Sequence, residues 1–372
     1  MSGADDTEFL EPRGNPELIG HEAAEARFLS TWQSGRLPHG WLITGPRGIG
    51  KATFAFRVAR FVLSGGASVE PAGLFGDAVP ADLYVAPDEP VFRRVASGAH
   101  ADLNTLQRTV NPDNGKLRTS IAVSDVRHAG DFMRLTASEG GWRVVIVDCA
   151  DEMNVNAANA LLKILEEPPD RALLLLVSHA PGRLLTTIRS RCCQLPLKLL
   201  SHDQVSELLA RQCQDLPAAE RHAIAGLADG SPGRAMALAG EDGLALYREL
   251  MVLLSHLPRS PVAALHGYGD KLARNGAEEK FRTATELLGW WLGRLVRSGA
   301  RGESGPPPIV PEEEGLAERM LAATGVDPTG LARWMEVWEK TNRLADDTSR
   351  QNLDRKQAVL STFHALQSAM KA

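Results

Sequence analysis

Between residues 18 and 200, short apolar runs alternate with stretches of helical spacing. Val144–Val147 and Ala172–Val177 are apolar without interruption. A strand with one wet face alternates, whereas a continuous run suits a strand covered on both faces, as in a parallel sheet. The pattern predicts strands at Trp41–Thr44, Asp102–Leu106, Ile121–Val123, Arg143–Asp148, Ala172–Ser178 and Cys193–Leu197. It predicts helices over Lys51–Leu63, Ser124–Ser138 and Val155–Glu167. Such strand–helix alternation implies an α/β domain.

Residues 64–92 are punctuated by Gly65, Gly66, Pro71, Gly73, Gly76, Pro80, Pro87 and Pro90, with little periodicity. This predicts an insertion or surface loop. Strand signals stop after Pro196. Residues 201–240 read as two or three short helices that end at GSPGRAMAL. From about 242 onward the pattern is helical, with one break at SGARGESGPPPIVP, 298–311. The expected organisation is an α/β domain over 1–200 with a polar arm at 1–17, a small helical domain over 201–241 and a larger helical domain over 242–372.

Composition adds little to that picture but removes some classes. Of the 372 residues, 44% are hydrophobic and 23% charged, as expected of a globular chain and not of a disordered one. The 41 Lys and Arg against 46 Asp and Glu give a net charge of −5, so nucleic acid would be met through a local patch or within an assembly. Cys149, Cys192, Cys193 and Cys213 form no C-x-x-C pair. Neither structural zinc nor a disulfide framework is expected, and a reducing compartment suits such cysteines. The acidic N-terminus does not resemble a secretory signal. No apolar run approaches the ~20 residues of a membrane span. A cytoplasmic protein without membrane association is expected.

The clearest chemistry is GPRGIGKAT at 45–53, between a predicted strand and a predicted helix. It matches G-x-x-x-x-G-K through Lys51. Gly45, Gly48 and Gly50 would let backbone amides turn toward phosphate oxygens, and Lys51 would contact the outer phosphates. ATP or ADP is the expected ligand, with Mg²⁺ only alongside nucleotide. One position departs. Ala52 stands where Ser or Thr would offer Mg²⁺ a hydroxyl. Thr53 is no substitute, because adjacent helical residues point about 100° apart.

The second feature is VVIVDCADEMN, 144–154. Asp148 follows a buried strand at the edge where α/β sheets bind ligands. In an active ATPase of this layout, the next residue is the acid that polarises the attacking water. Here it is Cys149, whose thiol, with an ordinary pKa of ~8.5, is a poor base. Asp151 and Glu152 read as helix N-terminal charges.

These segments carry a family. LIGHE (18–22), GRLPHGWLITGPRGIGK (35–51), IAVSDVR (121–127), VVIVDCADEMNVNAANALLKILEEPP (144–169), LLLVSHAPGRLLTTIRSRC (174–192) and GSPGRAMAL (230–238) occur in order. Over roughly 18–240 the chain resembles the AAA+ clamp-loader subunits of bacterial DNA polymerase III, in particular the delta-prime type. NLDRKQAVL at 352–360 resembles the last helix of that family's collar domain.

The resemblance implies a P-loop AAA+ parallel-sheet domain, a helical lid and a helical collar. It implies a ring of five subunits with gamma/tau and delta, acting on a sliding clamp and primed DNA. SRC at 190–192 makes Arg191 the arginine finger for a neighbour's ATP site; otherwise Arg191 is a strand-end arginine in a surface ion pair. Arg234 falls at the sensor-2 position, or is a solvated helix-start arginine. His179 lies near the sensor-1 position. Lys163 reads as a solvated face, with a DNA phosphate contact as the alternative. Many relatives carry a four-cysteine zinc module, but residues 54–148 contain no cysteine. With Ala52 and Cys149, the resemblance points to a subunit that braces the assembly without hydrolysing ATP itself. An active motor subunit of the same loader is the alternative, as is an unrelated AAA+ protein that remodels DNA. Trp290, Trp291, Trp334 and Trp338 concentrate aromatic bulk in the last third, as core or as subunit interface.

Overall fold

Strand β1 (Gly40–Thr44) is flanked by helices α1 (Glu22–Gln33) and α2 (Lys51–Leu63). The computed structural model describes residues 11–66, 80–110, 115, 118–139, 141–240, 242–325, 327–351 and 353–371. It continues through α3 (Pro90–Ala96), β2 (Leu103–Leu106), α4 (Val123–Arg134), β3 (Arg143–Val147), α5 (Val155–Glu166), β4 (Ala172–Ser178), α6 (Thr186–Arg191) and β5 (Cys193–Pro196). The helices that follow are α7 (His202–Gln212), α8 (Ala218–Ala228), α9 (Pro232–Gly240), α10 (Gly243–Ser255), α11 (Val262–Ala273), α12 (Glu278–Ala300), α13 (Leu316–Thr324), α14 (Pro328–Gln351) and α15 (Arg355–Lys371). The chain divides into two compact units. One comprises residues 1–208 with Gly230–Gly233, the other Leu209–Asp229 with Arg234–Ala372.

In the first unit the five strands form one parallel sheet in the order β2-β3-β4-β1-β5. Successive side chains of a strand point to opposite faces, and here both faces are apolar. Trp41, Ile43, Leu173, Leu175 and Val177 pack with Phe28, Phe54, Val58 and Phe61. Leu42, Val145, Val147, Leu174 and Leu176 pack with Val126, Leu161, Leu165 and Ile188. Every residue of β3 and β4 is buried. Each such aliphatic side chain is worth about 1.5–3 kcal/mol on burial. That outweighs strand propensity, which spans about 1 kcal/mol.

Four elements differ from expectation. Ile121–Val123 is no strand: Ile121 makes one bridge to Met153, and α4 begins at Val123. Residues 90–96 form a helix with Pro90 in its first turn, where the missing N–H costs nothing. Helix α4 stops at Arg134, short of Ser138. The helical break at 298–311 starts late, because α12 runs to Ala300. Residues 1–10 of the polar arm and 67–79 of the expected loop lie outside the described residues.

The described part of the arm is tied to α2. Arg60 is 1% exposed and donates to the carbonyls of Arg13 (2.9 Å) and Asn15 (2.8 Å). Its guanidinium stacks on Phe92, 4.5 Å from the ring centre. Arg57 pairs with Glu25 and donates to Pro16 O at 2.9 Å.

The second unit is helical. Trp291 and Trp334 are fully buried, and α12 meets α14 where glycine permits close approach. A Cβ on Gly289 would lie 2.6 Å from Asn342 Oδ1, and one on Gly299 2.6 Å from Leu331 Cδ2. Trp338 is 38% exposed and donates to Gly289 O at 2.8 Å. Buried Glu313 accepts from the Tyr247 hydroxyl (2.8 Å) and from Ile309 N (3.1 Å). Among the described residues no helix is long and apolar enough to cross a membrane.

Candidate nucleotide-binding site

The phosphate loop joins β1 to α2. Gly45, Gly48 and Gly50 all have positive φ, at 144°, 73° and 96°. Gly45 has no room for a side chain: a Cβ would stand 2.6 Å from both Leu197 O and Ile49 Cδ1. The loop carbonyls are held in succession. Lys51 Nζ donates to Gly45 O at 2.8 Å and to Pro46 O. Arg47 O accepts from the Ser231 hydroxyl at 3.1 Å, and Gly48 O from Gly233 N at 2.8 Å. Ile49 O meets His21 Nε2 at 2.6 Å. In a trans peptide the next N–H points away from the carbonyl. Carbonyls engaged at 47–49 therefore direct the amides of Gly48, Ile49 and Gly50 the other way. Among the described residues these amides have no acceptor. That is the arrangement an anion-binding nest requires.

Lys51 is 3% exposed. Burial pulls its pKa down to about 8, while the Asp151 and Asp148 carboxylates oppose the shift. Ala52 supplies no hydroxyl, and Thr53 is buried further round α2.

At the end of β3, Asp148 N donates to Leu106 O at 2.8 Å. Cys149 adopts left-handed backbone (φ 59°, ψ 55°). Its Sγ lies 3.2 Å from His179 Nε2 and 3.7 Å from Asp148 Oδ1. Burial, reinforced by the neighbouring acids, pushes the thiol up to about 12. Burial also lowers His179, with Lys51 adding to the effect. The pair is therefore neutral at pH 7, and no base stands at position 149.

The other acids are already engaged. Burial favours a protonated Asp151, but the nearby Ser178 side chain and the hydrogen bond from His179 N outweigh it and the carboxyl lies low. The His179 N contact measures 2.9 Å. Glu152 pairs with Arg108 at 2.6 Å and with Arg47 of the loop at 3.6 Å. These acids sit in and around a short 3₁₀ turn, Ala150–Glu152, and do not cap α5. Asn154 caps it, accepting from Ala157 N at 2.9 Å.

Two predicted residues stand apart from this cluster. Arg191 ends α6, pairs with Glu166 at 2.8 Å and donates to Thr187 O at 3.2 Å. Arg234 belongs to the second unit, where its guanidinium stacks on Trp290 at 5.2 Å. Lys163 is exposed on α5. The roles of His21, Ser231 and Gly233 were missed, although LIGHE and GSPGRAMAL contain them; each acts through a long-range contact to the loop. Among the described residues no group of three or more His, Cys, Asp or Glu side chains is placed to hold a metal ion.

A glycine-rich loop between β1 and α2, inside this sheet order and beside an acid-bearing β3, defines a P-loop domain of AAA+ type. Residues 20–201 match the family model described as DNA polymerase III, delta subunit. The chain is 38% identical over 203 residues to DNA polymerase III subunit delta′ of Pseudomonas aeruginosa, covering 55% of this chain and 56% of that protein. It is 34% identical over 179 residues to subunit delta′ of Bacillus subtilis, covering 48% and 47%. Against subunit gamma/tau of Mycobacterium tuberculosis it is 26% identical over 352 residues, 88% of this chain and 57% of that protein. The chain spans about half the length of these curated relatives. A solved structure of a DNA polymerase III gamma subunit-related protein from Thermotoga maritima aligns over 92% of this chain and 99% of that one, at 18% identity and a TM-score of 0.39. Over residues 20–201 the chain is thus similar to the DNA polymerase III delta family and to the delta′ subunits of two bacteria.

Proposed function

We propose that this chain is a largely non-hydrolysing subunit of a DNA polymerase III clamp loader. It braces the assembly and supplies Arg191 to the ATP site of a neighbouring subunit. Its partners on this reading are gamma/tau and delta, with the sliding clamp and primed DNA met through the complex. Residues 1–200 act as the AAA+ domain, 201–241 as the lid and 242–372 as the collar.

The observation that carries this reading is position 149. A neutral thiol engaged with His179 occupies the place of the catalytic acid. Glu152 is held by two arginines, and Asp151 accepts the His179 amide. None of them is free to take a proton from water. Phosphate binding is a separate matter. The amides of Gly48, Ile49 and Gly50, with Lys51, fit the phosphates of ATP or ADP. Ala52 would give an accompanying Mg²⁺ no hydroxyl, and Asp148 would be the carboxylate left to hold it. Arg234 is the sensor-2 residue on this reading.

The test is steady-state ATP hydrolysis by the purified chain, with ADP binding measured by calorimetry. Turnover at background is expected, whether or not ADP binds. Hydrolysis at the rate of a working AAA+ motor, abolished by Lys51→Ala, would favour the motor-subunit reading and overturn this one.

A further inference from the structure

The second unit contains a cavity of about 400 Å³ that none of the chemistry above uses. Cavities of about 300–1,000 Å³ are typical of small-ligand sites. Arg294 and Arg297 line it from the C-terminal half of α12, and Arg301 from the residue that caps that helix. Their spacing of three and four residues puts them on one helix face. Trp290 lines the same cavity one turn earlier, and Pro306–Pro308 add an apolar stretch to its lining. Two carboxylates, Asp229 and Glu303, complete the polar lining.

The three guanidiniums are not equivalent. Arg294 is fixed: it stacks on Trp290 at 4.7 Å, donates to Pro307 O at 2.7 Å and lies 3.6 Å from Glu313. The Arg297 and Arg301 residues are exposed, and their side chains make no hydrogen bond or ion pair among the described residues. Cations near a helix C-terminus offset its dipole. That accounts for a charge at the end of α12. It does not account for three arginines opening into one cavity with an aromatic and a stretch of prolines.

We infer that this cavity binds one nucleotide of a single-stranded nucleic acid, with Arg297 and Arg301 on the phosphodiester backbone and the base against the prolines. Single strands are held by basic side chains that track the backbone beside surfaces on which bases stack, usually aromatic ones; here the prolines offer the apolar surface. The carboxylates decide between ligands. Asp229 accepts from Trp290 Nε1 (3.3 Å) and Glu303 from the Ser298 hydroxyl (2.9 Å), and each retains acceptor capacity. They repel any anion inside the cavity, which leaves the phosphodiester to the exposed Arg297 and Arg301, and inside it they match the exocyclic amino donors of bases, which an acidic peptide lacks. The inference stands on the second unit alone and does not depend on whether the phosphate loop hydrolyses ATP.

The test uses the full chain and fluorescence anisotropy with labelled oligo-dC of about 16 nucleotides. An abasic strand of the same length and poly-glutamate serve as competitors. Oligo-dC should bind with salt-dependent affinity and more tightly than the abasic strand. Arg297→Ala with Arg301→Ala should weaken it about tenfold and flatten the slope of log affinity against log salt by about 1.4, the share of two phosphate contacts. The thermal midpoint should fall only slightly, by the loss of two charges near the end of α12, because neither side chain has a hydrogen-bond or ion-pair partner to lose. Arg297→Lys with Arg301→Lys should retain most of the salt slope. Absence of binding, unchanged affinity in the alanine variant, equal binding of the abasic strand, or stronger competition by poly-glutamate would each overturn the inference.

Discussion

Lys51 is a cation packed among carbonyls. Burial works against its charge and brings the pKa to about 8, so the ammonium is mostly present at pH 7 and is lost as the pH rises through 8. A bound phosphate favours the charged form and raises that pKa again. ADP affinity should therefore be level below pH 7 and fall from about pH 8 upward. Calorimetry between about pH 6.5 and 9.5 measures this. Lys51→Arg, which stays protonated throughout, should flatten the profile. A wild-type affinity unchanged to the upper end would mean that the Lys51 charge does not contact phosphate. At this scale the sequence was informative about identity and silent about pairing. Ala52 and Cys149 can be read as departures from a motif. The contact of Cys149 with His179, thirty residues away, arises only because β3 and β4 are neighbours. The arginines that hold Glu152 come from the phosphate loop and from beyond β2, and no local spacing brings them together.

Helix α2 shows what an element can hold besides its own core. Arg60 fixes the arm through two carbonyls, and burial lowers its pKa to about 10, with Arg57 adding to the shift. Arg60→Met keeps much of the apolar volume but leaves the carbonyls of Arg13 and Asn15 without their donor. The expected loss is about 2–4 kcal/mol in urea denaturation. Trypsin should also cut after Arg13 faster than in the unaltered chain. Equal cleavage rates would show that the arm is held by something other than Arg60. Elements with a continuous apolar signal were legible: β4 and α2 occupy the predicted ranges, and β3 and β5 end one residue early. The misread elements turn on residues with two uses. Pro90 ends a loop pattern but also opens a helix. Gly299 looks like a terminator, yet α12 continues through it because Leu331 and Leu321 occupy the space of a side chain. Ile121 is buried as a strand residue would be, but three residues are too few for a ladder when Val123 already starts α4.

At the scale of the whole molecule, the proposed division of labour rests on one surface side chain. Arg191 lies at the end of α6, 38% exposed, paired with a half-exposed Glu166. An ion pair of this exposure is worth about 0–1 kcal/mol, so little opposes its release toward a neighbouring phosphate. A subunit that cannot cleave ATP can still control cleavage next door. Arg191→Lys keeps the charge and loses the planar fork, and Arg191→Ala loses both. Neither change touches the sheet core, so fold and assembly should be retained. In a reconstituted loader, each variant should slow ATP hydrolysis stimulated by clamp and DNA. A finger contributes about 10³–10⁵ in rate at the site it serves, but the total should fall only in part, because other sites in a ring keep their own fingers. Glu166→Ala serves as the control: it frees Arg191 and should leave the rate unchanged or higher. Steady-state hydrolysis with subunit stoichiometry checked in parallel measures all three variants. If the Arg191→Ala complex assembles and both hydrolyses ATP and loads clamps at the unmodified rate, Arg191 is only the surface partner of Glu166.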